Sequence, residues 1–456
     1  MFDQSHAESG QYEPVTKMGS PVNGMSFLSR SSLLRTFGIA SVGGALEFYD
    51  FIIFVFLTQT IGLVFFPPET PIWIKQTEVF SLFAAGYLAR PIGGLVMAHV
   101  GDTTGRKGMF ILSVLLMACP TFVIGILPTY AQIGYGAPLM LLVCRILQGA
   151  AVGGEVPGSW VYVAEHAPSG RTGFACGMLT AGLTSGIFLG SAVNIALHLV
   201  MTPAEIAAYA WRLPFLLGGV AGLLGTVLRH KLAETPIFEE MRRTAQIADG
   251  APLNRVFRGE LKPVIVSMAV SWLLTAEVVV MILMAPVLLQ HGAGLSEGQI
   301  AFAGSSSAVC LSIGCILSGV AIDRFGLSSF VKMAVVPMVV APYVLFGGVH
   351  LFPSLYLSMF MVTGLVAGCI TFVPVVMVRS FPPAVAFSGV ALAYNVAYAL
   401  AGGLTPPLVS ALYNVSLLAP AHYVAFVCVV GVSATLAGAA IRSRLASSSA
   451  HRSNPA

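Results

Sequence analysis

The segment from Gly43 to Phe51 reads GGALEFYDF, and Glu47 and Asp50 are the only charges between Thr36 and Phe66. Three residues apart, they share one face of a helix. Four more charges lie in apolar stretches: Arg90, Arg145, Glu155 and Glu277. Each costs about 2.5–3.5 kcal/mol or more at mid-bilayer unless it is paired or hydrated. A buried carboxylate whose cationic partner changes with conformation changes its affinity for a proton, which is what coupling a proton to transport requires. Asp50 is the first choice for that carrier, with Arg145 as its conformation-dependent partner and Glu47 as second choice. Arg90 suits a substrate carboxylate, because a guanidinium grips that group with two parallel N–H donors. The alternative for each is a permanent clamp between helices. Arg145 is open to both readings, and Glu155 is expected either to contact substrate or to neutralise Arg90.

These residues need an apolar frame, and the composition supplies one. The chain has 456 residues, 56% hydrophobic and 9% charged, against about 25% charged in an ordinary soluble domain. Its outside is therefore expected to face lipid. A net charge of +4 and no basic run with interleaved aromatics argue against nucleic acid as a partner. The seven cysteines sit in apolar runs without metal-ligand spacing, as small hydrophobes do. The first 30 residues carry Asp3, Glu8 and Glu13 and lack an apolar core, unlike a cleaved signal peptide.

About 20 apolar residues cross a bilayer as a helix. Twelve stretches qualify: 36–66, 76–100, 108–127, 136–164, 172–198, 211–229, 263–290, 298–322, 330–350, 354–378, 385–412 and 420–441. Apart from Lys75, Arg90, Arg145 and Arg212, the 23 Lys and Arg fall in the N-terminal tail, in the even-numbered loops and the span ends beside them, or in the C-terminal tail. The positive-inside rule then puts both termini in the cytoplasm. The expected divisions are a tail over 1–35, a six-helix bundle over 36–229, a charged linker over 230–262, a second bundle over 263–441 and a tail over 442–456. Ala98 to Gly105 and Gly319 to Gly326 both read small-x-x-x-Asp-x-x-Gly at the matching turn of each half, after spans two and eight. The fold class read from this is an all-α integral membrane protein of twelve transmembrane helices in two pseudo-symmetric six-helix halves, an architecture of transporters.

Several stretches resemble the major facilitator superfamily. GDTTGRKG (101–108) is similar to its loop between spans two and three, with Ala98 where Gly is usual and Thr103 where a basic residue is common. RILQG (145–149) resembles the span-four motif of proton-coupled members, and YVAEHAPSGRTG (162–173) the inner end of that span. Within the superfamily the metabolite:proton symporter family is the nearest in pattern. It shares GGALEFYDF, FAAGYLARPIGGL, LQGAAVGGE, WRLPFLLGG and AETPIFEEM. The C-terminal half departs more, with Leu327 and Ser328 where a basic pair is usual.

The resemblance implies the major facilitator fold and alternating access. It also implies a small-molecule substrate such as oxoglutarate, citrate, shikimate, proline or betaine, the proton as coupling ion, no other cofactor, and residence in a bacterial inner membrane, here expected as a monomer. Arg90 stands where the family carries the arginine of its RP-x-GG stretch. Asp102, Arg106, Lys107, Glu165, Arg171, Asp323 and Arg324 are expected to close the cytoplasmic end as a charge network; a solvated loop is the alternative.

Phe48 and Tyr49 flank the carboxylates of span one and Trp160 lies on the span that carries Glu155; Tyr49 and Trp160 are candidates to line the substrate site, with Phe48, Trp272, Tyr394 and Tyr398 as further aromatics able to face a cation. Glu277, mid-way along span seven, and Asn395 in span eleven are the remaining candidates. Four acids against two arginines within the spans favour a zwitterion or monocarboxylate over a tricarboxylate. An exporter is the second reading, although span five reads GLTSGIFLGS without the Gly-Pro common in exporters. An embedded enzyme or sensor is the third, without an HExxH or a soluble output domain to support it.

Overall fold

The computed structural model describes residues 30–245, 252–290 and 295–452. The expected N-terminal tail as far as residue 29, linker residues 246–251 and the last four residues lie outside them. Among the described residues eleven helices are long and apolar enough to span a membrane. The helix Ile72–Thr104, interrupted by charges along its length, is the twelfth.

Span one is the helix Arg30–Phe56, and the apolar run read through residue 66 continues as a separate short helix, Thr58–Phe65. At the break the Thr58 hydroxyl donates to the Val55 carbonyl at 2.7 Å, competing with the main-chain ladder. Span two is Ile72–Thr104, span three Arg106–Ile126, span four Gly136–His166, span five Thr172–Val200 and span six Arg212–Arg229. Spans eight and nine are Glu297–Phe325 and Leu327–Leu351. The last span opens the helix Ala419–Arg452, which runs on through residues read as tail.

Two spans change helix type along their length. Span seven is α-helical over Leu261–Ala276, then winds as a π-helix over Glu277–Met284 before Ala285–Gln290. Span ten tightens to a 3₁₀ turn, Gly368–Thr371, between Tyr356–Ala367 and Phe372–Val378. Pro374 accounts for this: it has no N–H for the carbonyl of residue 370 and its ring crowds it. Span eleven, Ala386–Tyr413, stays helical through Pro406 and Pro407.

Lipid offers no hydrophobic gain from helix pairing, so close backbone approach must supply the contact. Gly149 of span four lies so tightly on Gly86 of span two that a Cβ there would strike its carbonyl, and Gly314 of span eight meets Gly368 of span ten in the same way. These are equivalent helix pairs of the two halves. Between the halves, span five packs along span eight and span eleven along span two. The linker forms two short helices, Pro236–Arg243 and Pro252–Gly259, against the end of the bundle that the basic residues assign to the cytoplasm, called here the inner end.

Candidate functional site

Span one delivers Glu47 and Asp50 to the interior between the halves, both buried. Glu47 lines a small cavity with Phe48, Arg90, Val152 and Tyr398. Neither of its carboxylate oxygens has a hydrogen-bond partner. Asp50 lines a neighbouring cavity with Tyr87, Arg90, Arg145 and Gln148. It accepts a hydrogen bond from the Thr121 hydroxyl. That hydroxyl in turn accepts from Gln148 Nε2 at 2.7 Å, and Gln148 Oε1 accepts from Arg145 at 3.1 Å. Arg145 therefore reaches Asp50 through two intermediaries, while its guanidinium lies 4.0 Å from the centre of the Phe54 ring.

Arg90 is held differently. Its guanidinium carbon lies 4.3 Å from the ring centre of Tyr398, 5.5 Å from that of Tyr87 and 5.6 Å from that of Tyr394. The Tyr394 hydroxyl accepts a long contact from it at 3.5 Å. Tyr87 comes from span two and the other two rings from span eleven, so the box spans both halves. Trp160 is buried behind it, edge-on to Tyr394 at 5.0 Å. Asn395 donates to the Gly153 carbonyl at 2.7 Å, tying span eleven to span four, and its own side-chain oxygen is buried and unpaired.

Three expectations on partners change. Glu155 does not neutralise Arg90: it is paired at 2.5 Å with Arg229, from the inner end of span six. Ser113 and Ser159 also donate to Glu155, and Arg229 donates to the Phe110 carbonyl and lies over that ring. By geometry this is a buried clamp joining spans three, four and six. Tyr49 points away from the cavities, its hydroxyl donating to the Pro214 carbonyl at 2.8 Å on span six. Glu277 opens the π-helical stretch of span seven, buried, and accepts from the Cys428 thiol at 3.3 Å, apart from both cavities.

At the inner end, Arg106 is buried between Asp102 at 3.1 Å and Glu165 at 3.5 Å. It also donates to the Pro383 carbonyl of the other half at 2.7 Å. Asp102 accepts from the backbone N–H of Ser388, in the first turn of span eleven. Asp323 does the equivalent in reverse, accepting from the N–H groups of Gly173 and Phe174 at the start of span five, each at 2.7 Å. An anion at a helix N-terminus satisfies orphan donors and the helix dipole together. The two echoed aspartates thus each seal the fifth span of the opposite half.

The linker joins this network. Glu234 accepts from the backbone N–H groups of Arg106 and Lys107, and Thr235 donates to Glu165 at 2.5 Å. Lys107 enters through its main chain alone among the contacts seen. Arg171 and Arg324 are exposed, the latter over Phe325, and stand outside the buried part of the inner-end charge network. Sequence reasoning did not single out Tyr87, Thr121, Gln148, Arg229 or Glu234. Tyr87, Gln148 and Glu234 stood inside the stretches FAAGYLARPIGGL, RILQG and AETPIFEEM without being given a role, Arg229 stood as the basic residue at the very end of a span, and Thr121 carried no signal.

Residues 36–263 match the model of the sugar (and other) transporter family. The chain belongs to that family. Along 90% of its length it is 29% identical to the proline/betaine transporter of Escherichia coli K12, 84% of which is covered. It is 28% identical to a glycine betaine/proline/ectoine/pipecolic acid transporter of Dickeya dadantii, again over 90% of this chain and 83% of the relative. A putative proline/betaine transporter of Staphylococcus aureus is 38% identical over about half of each chain (51% and 50%). Among solved structures, a major facilitator proton:xylose symporter superposes with a TM-score of 0.73 at 17% identity, covering 89% of this chain and 95% of that one. FucP, solved in an outward conformation, gives 0.68 at 13% identity, covering 89% and 99%. The fold is that of the major facilitator superfamily. The protein is a multi-pass membrane transporter of a small molecule and not an enzyme.

Proposed function

We propose that this transporter imports a small zwitterion bearing a carboxylate, such as proline or a betaine, in symport with protons across a bacterial inner membrane. The observation that carries the reading is the charge set of the two central cavities. With Glu155 committed to Arg229 and Glu277 elsewhere, the cavities hold Glu47 and Asp50 against Arg90 and Arg145. Two carboxylates and two guanidiniums balance, and a balanced site suits a solute that is itself balanced. The relatives named for proline and betaine transport point the same way.

In this reading Arg90 binds the substrate carboxylate with two parallel N–H donors. Asp50 carries the proton. The chain through Thr121 and Gln148 lets Arg145 approach or withdraw as the halves rock, exchanging a proton for a cationic neighbour. Glu47 is the second titrating group. Both termini are cytoplasmic, the monomer is the working unit, and the proton is the only coupling species. The two bundles at 36–229 and 263–441 move as the rocking bodies about the linker.

The test is uptake by the purified chain in proteoliposomes. Labelled proline and glycine betaine should accumulate only under an inward proton gradient, and a protonophore should abolish accumulation. Equal flux with and without the gradient would overturn the coupling. Accumulation under an outward-directed proton gradient would mark an exporter instead.

A further inference from the structure

Arg90 fills a box whose other natural occupant is a substrate cation. The rings of Tyr87, Tyr394 and Tyr398 surround its guanidinium at 5.5, 5.6 and 4.3 Å. Tyr87 and Tyr398 stand nearly parallel, 8° between planes and 5.9 Å between centres, and Tyr394 closes the side at 5.2 Å from Tyr398. Aromatic faces arranged in this way attract any desolvated cation, quaternary ammonium groups above all. Beside the box, Glu47 is buried without a hydrogen-bond partner and shares a cavity with Arg90 and Tyr398. A buried carboxylate without a hydrogen-bond partner beside an aromatic box is an arrangement for a positive ligand, and Arg90 takes that place in the present state.

We infer that the three tyrosines form the subsite for the substrate's ammonium group, and that Arg90 occupies it until substrate arrives. On binding, the guanidinium leaves the rings for the substrate carboxylate. The ammonium group enters the vacated box against Glu47. One molecule thereby replaces Arg90 at the rings and engages it at the other end. Because Tyr87 belongs to span two and Tyr394 and Tyr398 to span eleven, an occupied box bridges the halves. The inference rests on the zwitterion reading above and adds where the positive end goes. It predicts preference for fully methylated ammonium groups, which gain most from ring faces and need no hydrogen-bond acceptors.

The experiment uses the full purified chain and radiolabelled tetramethylammonium, a cation with no carboxylate, in an equilibrium binding assay without any gradient. Arg90→Ala empties the box, so it should bind tetramethylammonium at least about fivefold more tightly than the parent chain while losing affinity for glycine betaine. Tyr398→Leu in the Arg90→Ala background should erase that gain, and Tyr87→Leu should do so from the opposite wall. Tyr398→Phe, which keeps the ring face, should cost no more than about threefold. Gel filtration of each variant establishes that it is folded, and the two leucine variants act independently should one fail to fold. Arg90→Ala without saturable tetramethylammonium binding, or binding indifferent to both leucine changes, would overturn the box. Gradient-independent flux with this binding pattern intact would instead overturn only the proton-coupled reading.

Discussion

Removing Arg229 would leave Glu155 as an anion buried among Ser113, Ser159 and apolar side chains. Breaking one side of a buried pair costs about 3–5 kcal/mol, because the remaining charge has lost its countercharge. Arg229→Met should therefore lower the apparent melting temperature in detergent sharply, and Arg229→Met with Glu155→Leu should recover most of the loss. A single variant as stable as the parent would mean that the pair carries no structural weight. Asp50→Asn should behave oppositely: stability holds, proton-driven accumulation disappears, and exchange of labelled for unlabelled substrate persists. Wild-type accumulation in that variant would place the carrier elsewhere. The two cases show what was readable at this scale. Charges stranded in apolar runs, such as Glu47, Asp50, Arg90 and Arg145, stand out because their cost demands a reason. Arg229 did not, since a cation at the inner end of a span already has one in the positive-inside rule. Tyr87 did not because an aromatic within a span is ordinarily packing.

Helix starts carry the seal of the inner end. Ser388, Gly173 and Phe174 offer backbone N–H groups that Asp102 and Asp323 accept. An N-terminal acceptor of this kind contributes about 0.5–2 kcal/mol. Asp102→Asn and Asp323→Asn keep the shape and remove the charge, so each should shift the resting balance toward an open inner end. Amide hydrogen exchange is the readout. Faster exchange is expected over 386–390 in the first variant and over 172–176 in the second, with substrate selectivity unchanged in both. A changed substrate profile would contradict the gate role. Twelve spans were legible, and for eleven of them length and hydropathy suffice to find a helix in lipid. Their internal departures were only partly so. Pro374 announces the 3₁₀ turn of span ten and Pro286 stands two residues beyond the π-helix of span seven, yet the break at Leu57 lies in sequence without glycine or proline. Neighbouring helices set such features, and a single segment does not display its neighbours.

The two halves meet in matched fashion, span two with eleven and span five with eight, and each meeting is closed at the inner end by one of the echoed aspartates. That correspondence was visible in the chain as a repeated Asp-x-x-Gly, because a duplicated structure must solve the same helix-end problem twice. Alternating access asks these contacts to part in every cycle. Gly101 of span two lies against the Phe387 ring at the start of span eleven, a contact between halves that a rocking motion would have to open. Cysteines at 101 and 387, in a chain whose seven native cysteines are replaced, should be joined by a short bifunctional thiol reagent. Joined molecules should lose uptake entirely, whereas the same double variant left untreated should keep it. Equilibrium binding of substrate from the outer side should survive the joining, since the shut inner end leaves that approach untouched. Uptake that continued in fully joined molecules would show that spans two and eleven stay together through the cycle, and the inner end would then have to open along spans five and eight alone.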